Sequence, residues 1–248
     1  MSPLLVAMSA TAVLSALGGG VMALRLVRQV GYVIAVGAGI RIGAAFFDLL
    51  PESVELMAGG ANLAMFFAAV GFLAFYVIEK VTLLHVGHET ATELEHEDTA
   101  HRHVGLIGAS AMSVHSLLDG VAMAAAFQAS AELGVVISLV VVIHRFSDGI
   151  GIVSLLLASR VPRSTAMRWV LLVSLAPVLG VAVTAVIALP DPMLGALLAT
   201  FAGFFLYVGA AELLPEAHRN EGSRWVIVAT LVGVAAILGV SWGLEARL

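Results

Sequence analysis

Residues 104–128 read VGLIGASAMSVHSLLDGVAMAAAFQ, and residues 134–158 read GVVISLVVVIHRFSDGIGIVSLLLA. As a helix rising ~1.5 Å per residue, each run is long enough to cross a ~30 Å hydrocarbon layer. Near its middle each run carries the same device, a histidine and an aspartate four residues apart followed by glycine: His115, Asp119 and Gly120 in the first, His144, Asp148 and Gly149 in the second. On a helix that spacing puts both side chains on one face, one turn apart. An ionised Asp or Arg at mid-bilayer costs about 2.5–3.5 kcal/mol even on an insertion scale. Asp119, Asp148 and Arg145 all sit there, so a compensating role is expected, and a pathway for a cation supplies one. Imidazole and carboxylate together are a ligand set for first-row divalent metals.

The rest of the chain agrees with a membrane setting. Of its 248 residues 60% are hydrophobic and 12% charged, with a mean hydropathy of +1.05, whereas a soluble domain carries about 25% charged residues. Runs of about 20 apolar residues recur at 3–24, 31–56, 60–84, 104–128, 134–158, 166–189, 193–214 and 224–244. The expected fold is therefore all-α: a polytopic bundle of eight transmembrane helices forming a single domain over residues 1–248. The first run reads as a span and not as a cleavable signal, because Arg25 and Arg28 follow it and no Lys or Arg precedes it. Cysteine is absent, which excludes disulfides, thiolate metal sites and iron–sulfur clusters. A net charge of −5 gives no reason to expect a nucleic-acid partner.

Charge sets the orientation. On alternate sides of the spans, Arg25, Arg28, Lys80, Arg102, Arg160, Arg163, Arg168, Arg219 and Arg224 fall together and Arg247 stands opposite. Positive residues collect in the cytoplasm, so both termini are expected outside. The loop at 85–103, with His85, His88, His96, His101 and His103, is then cytoplasmic and a candidate metal buffer. Arg41 and Arg145 fall inside spans. Arg145 is expected to pair with Asp119 or Asp148, and Arg41 with Asp48, two turns further along its own span.

A short repeat joins distant parts. Asp48-Leu-Leu-Pro-Glu52 closes the second span and Glu212-Leu-Leu-Pro-Glu216 the seventh. Five spans separate the copies, so they run in opposite directions. This predicts an inverted repeat of spans 1–3 and 6–8 around a central pair, spans 4 and 5, a plan typical of transporters. Pro51 and Pro215 are expected to break or kink the last turn of their spans, and Glu212 is a candidate ligand on a cytoplasmic exit route.

These features resemble the ZIP (Zrt/Irt-like) family of divalent-metal transporters over essentially the whole chain. The resemblance rests on the eight spans, the His-bearing loop after the third, the Leu-Pro-Glu endings, and above all the two motifs. The fourth-span motif, usually His-Asn-x-x-(Glu/Asp)-Gly in that family, stands here as His115-Ser116-Leu-Leu-Asp119-Gly120. The fifth-span motif, often His-Glu-x-x-(Glu/His/Asp), stands as His144-Arg145-Phe-Ser-Asp148-Gly149. The resemblance implies that His115, Asp119, His144 and Asp148 line a primary site, that Ser116 and Arg145 stand at a second one, and that Glu212 lies on the release path. It also implies a homodimer in a cytoplasmic membrane of prokaryotic type. Ser116 and Arg145 depart from the family pattern, and Arg41 stands near a position that faces the primary site in relatives.

The expected function is inward transport of a divalent metal, Zn²⁺ first with Fe²⁺ or Mn²⁺ as alternatives, as substrate and with no organic cofactor. The alternative is a non-transporting metal sensor or scaffold whose pathway is locked by Arg41 and Arg145. An intramembrane metallohydrolase has the weakest support, since no dedicated substrate cleft or additional general base appears. The chain is accordingly not expected to be an enzyme.

Overall fold

The computed structural model describes residues 2–24, 30–58, 60–92, 97–220 and 223–245. Ten α-helices account for most of them: α1 Pro3–Ala23, α2 Val30–Ala44, α3 Leu50–Leu56, α4 Ala61–Thr92, α5 Glu97–Ala129, α6 Ala131–Ala158, α7 Arg163–Thr184, α8 Asp191–Leu206, α9 Leu214–Asn220 and α10 Trp225–Glu245. No strand occurs among the described residues. Eight stretches are long and apolar enough to cross a membrane; five match the expected boundaries within about three residues, while the third ends at 78 instead of 84, the sixth at 184 instead of 189 and the seventh at 219 instead of 214. Two of these spans are composite. The second runs through α2, a π-helical turn at Ala45–Leu49 and α3, and the seventh through α8, a π-helical turn at Tyr207–Leu213 and α9.

These π-turns correct the expectation for the prolines. Pro51 and Pro215 do not end their spans, because each is the second residue of a resumed α-helix. Proline is tolerated in a helix's first turn, where its missing N–H leaves no gap in the ladder. The wider turn supplies that fresh start: Leu50 N–H bonds back to Ala45 O, and Leu214 N–H to Gly209 O, each five residues away. The predicted loop is also shorter than its sequence suggests. Helix α4 continues to Thr92 and α5 begins at Glu97, so residues 85–92 and 97–103 are helical. His85, His88, His101 and His103 therefore lie on helices, with their side chains outside the described residues; His96 lies outside them altogether.

Packing carries the inverted repeat much further than one five-residue segment. Helix α1 packs along α6 as α7 packs along α5, and α10 packs along α2 as α4 packs along α8. Paired glycines make each crossing. A Cβ on Gly149 would strike the Ala16 carbonyl and one on Gly19 the Phe146 carbonyl; a Cβ on Gly120 would strike the Pro177 carbonyl and one on Gly180 the Leu117 carbonyl. Gly39 and Gly233 meet in the same reciprocal way between α2 and α10, as do Gly203 and Gly71 between α8 and α4. Small residues at crossings let helix backbones approach where lipid gives no hydrophobic drive to associate. The glycines that follow Asp119 and Asp148 thus press the central helices against α7 and α1, which fixes where the aspartates point.

Helices α5 and α6 are joined by a single residue, Ser130. Its hydroxyl accepts from Leu133 N–H at 3.0 Å and caps α6. So tight a turn makes the two antiparallel neighbours. Gln128, at the same end, donates to the carbonyls of Thr184 (3.0 Å) and Ile187 (2.8 Å) and accepts from Leu189 N–H (3.1 Å), tying α5 to the α7–α8 connection.

Candidate metal centre

The antiparallel pair brings His115, Asp119, His144 and Asp148 together, all four buried. Taking one ligand atom from each, all four atoms lie within 4.8 Å of one another. His144 Nε2 is 3.2 Å from Asp119 Oδ2 and 3.7 Å from Asp148 Oδ2. His115 Nε2 is 3.7 Å from Asp119 Oδ2 and 3.9 Å from Asp148 Oδ2. A tetrahedral zinc with bonds of about 2.0–2.1 Å has its ligands ~3.3–3.4 Å apart along each edge. One of the four nitrogen–oxygen separations is already that short, and the other three need to contract by only a few tenths of an ångström to match it. Asp119 Oδ1 has no hydrogen-bond partner among the described residues, an unusual position for a buried carboxylate oxygen and a natural one for a group that awaits a cation.

Aromatic rings enclose the histidines. The His115 ring lies edge-to-face with Phe204 at 4.8 Å between centroids and with Phe75 at 6.4 Å, while His144 lies 6.1 Å from Phe205. Phe204 and Phe205 belong to α8, in the last turn before its π-segment. Nothing in the sequence marks them out, since an aromatic pair in an apolar run reads as ordinary packing. Superposing the two Leu-Pro-Glu copies would have exposed them: Arg41 precedes Asp48 by the same interval as Phe205 precedes Glu212.

The two buried arginines do not bond as expected. Arg145, fully buried, donates to the Ser116 hydroxyl and to the Val173 carbonyl at 2.7 Å. Both partners are neutral oxygens, so it makes no direct ion pair with Asp119 or Asp148. Its Nε has no hydrogen-bond partner among the described residues. Ser116 and Arg145 occupy equivalent places in the two motifs, and here they bond to each other across the helix pair. Arg41 turns away from the pairing predicted along its own helix with Asp48. Its Nη2 donates to Asp148 at 3.1 Å (Oδ1) and 3.3 Å (Oδ2), and also stands 3.1 Å from His115 Nε2. A residue seven positions along a helix lies two turns away, whereas α6 is packed directly against α2.

Asp48 and Glu212 stand outside the four-residue group. Asp48, buried, lies in the first π-turn, and Glu212, half-buried, in the second. The bundle's pseudo-symmetry sets them at matching positions in its two halves, in spans that run in opposite directions.

Comparison with known proteins gives a consistent picture. The model of the family described as ZIP zinc transporter matches residues 87–241. A zinc transporter of Caenorhabditis briggsae is 28% identical over 133 residues, covering 50% of this chain and 34% of its own. A putative zinc transporter of Arabidopsis thaliana is 29% identical over 209 residues, covering 82% of this chain and 32% of its own. The zinc transporter ZupT of Corynebacterium aurimucosum is 25% identical over 228 residues, covering 85% of this chain and 84% of its own. This chain thus spans about a third of the length of the first two relatives and most of the third.

Proposed function

Because this chain belongs to the ZIP zinc transporter family, we propose that it carries a divalent metal ion, Zn²⁺ before Fe²⁺ or Mn²⁺, through a membrane by way of the His115–Asp119–His144–Asp148 cluster. The observation that carries this reading is the set of two imidazole nitrogens and two carboxylate oxygens, all within 4.8 Å of one another and buried between helices α5 and α6. These groups replace part of the ion's water shell, and they need only moderate affinity, because an ion held too tightly never leaves.

Several finer points belong to the same proposal. The chain holds one ion per protomer, since the Arg145 guanidinium fills the second position with a fixed positive charge bonded to Ser116. Asp48 and Glu212 flank the cluster as relay carboxylates, Asp48 on the outer side and Glu212 on the cytoplasmic side. Movement is inward, with both termini outside, on the strength of the Lys and Arg distribution. His85, His88, His96, His101 and His103 serve as a cytoplasmic buffer, in a homodimer set in a prokaryotic cytoplasmic membrane. Family membership speaks for transport over hydrolysis. It also speaks against a locked sensor.

The test is Zn²⁺ flux into proteoliposomes. His115→Ala should abolish metal-dependent uptake while the protein still elutes and melts like wild type. Undiminished flux would remove the cluster from the pathway.

A further inference from the structure

Arg41 holds the very atoms that an ion would need. An arginine has only donors to offer, so the His115 Nε2 that it meets at 3.1 Å must present its lone pair. That lone pair is also the only means by which Nε2 can bind a metal. The same guanidinium nitrogen lies 3.1 and 3.3 Å from the two oxygens of Asp148. One lone pair cannot serve a guanidinium and a metal at once.

Charge leads to the same conclusion. Asp119 and Asp148 against Arg41 and Arg145, with neutral imidazoles, sum to zero, and all four are buried. A dication arriving beside both arginines would leave two uncompensated positive charges in a low-dielectric interior, a costly arrangement. Arg145 is held by oxygens outside the ligand set. Arg41 is held by the ligand set itself and by little else, for its Nε and Nη1 find no hydrogen-bond partner among the described residues. The π-turn at Ala45–Leu49 begins four residues after it, and such turns mark places where a helix can shift its hydrogen-bond register.

We propose that Arg41 is a tethered competitor of the transported ion: its guanidinium and the dication alternate on His115 and Asp148, so that each ion enters by expelling the side chain and departs as the side chain returns. This rests on the transport reading above and adds to it the reason a cluster so well shaped for zinc would still let zinc go.

Co²⁺ titration of the purified detergent-solubilised protein, followed by visible absorption, tests it. Arg41→Gln should bind Co²⁺ at least ~10-fold more tightly than wild type with the same ligand-field spectrum, and Arg41→Lys, which keeps the charge, should move affinity back toward wild type. Equal or weaker binding by Arg41→Gln would overturn the exchange. A structure of the wild-type protein with Co²⁺ bound gives an answer that needs no variant: Arg41 Nη2 should have left hydrogen-bond range of both His115 and Asp148, and an ion on those residues with Arg41 still bonded to them would refute the proposal. Absence of Co²⁺ binding by wild type and variant alike would instead bring down the transport reading on which it stands.

Discussion

Residues 115–120 and 144–149 are twins in three respects and opposites in one. Each supplies a histidine, an aspartate one turn later, and a glycine that seats its helix against an outer neighbour, Pro177 in one case and Ala16 in the other. Between the histidine and the aspartate, however, one carries Ser116 and the other Arg145. A second mismatch lies in the outer halves, where Arg41 stands against Phe205. The matched positions build a cradle from two His–Asp pairs, one on each helix. On the reading proposed above, the mismatched ones settle how many ions it takes and how firmly. Symmetry shapes the cluster, and its two exceptions tune it.

The comparison can be broken most forcefully at the histidines. If both motifs contribute equally, His115→Ala and His144→Ala should each weaken Co²⁺ binding by more than the ~10–100-fold typical of a supporting residue, and by similar amounts. Titration of the two variants side by side checks this, and a large loss in one with none in the other would break the equivalence. The glycines offer a structural counterpart. Gly120→Ala and Gly149→Ala should each destabilise the protein by about 1–3 kcal/mol or more, the usual cost of overpacking, read as a lower melting temperature in the same detergent. A variant that melts like wild type would mean that its crossing can open.

The asymmetric positions predict smaller and more selective effects. Arg145→Glu replaces a fixed cation with a ligand facing Ser116, and should raise bound Co²⁺ from one to two ions per protomer by elemental analysis. A count that stays at one would show that something other than the arginine limits the number. Proton competition should be the mildest effect. Metal needs deprotonated imidazole and carboxylate, so affinity should fall steadily as pH is lowered from neutral toward 5, without loss of helix by circular dichroism. Tighter binding in acid would have the wrong sign for this ligand set.

Much of this architecture is legible in the sequence, and the reasons it stops being legible are physical. Hydropathy marks eight spans because lipid demands an apolar run of known length, and those runs agree with the helices to within a few residues in most cases. The four proposed ligands stand out because histidine and aspartate are expensive at that depth. The Leu-Pro-Glu repeat points to an inverted pair of halves, which the reciprocal glycine crossings then extend to every outer helix. The π-turns escape notice, since a hydrogen bond displaced by one residue alters no side chain's hydropathy. Pro51 and Pro215 hint at them only in retrospect. Arg41 is visible as an intruder, but its partner is not: Asp48 is near along the chain, while Asp148 is near only once α2 and α6 are packed. The continuation of α4 to Thr92 is likewise hidden, because a polar, histidine-rich helix beyond a span looks like a loop.

X-ray absorption at the zinc edge of the Zn²⁺-loaded protein bears most directly on the central proposal. Two imidazoles and two carboxylate oxygens at about 2.0–2.1 Å should make up the coordination shell, and His144→Ala should remove one imidazole from it. A shell without imidazole, or one that His144→Ala leaves unchanged, would mean that the ion binds elsewhere.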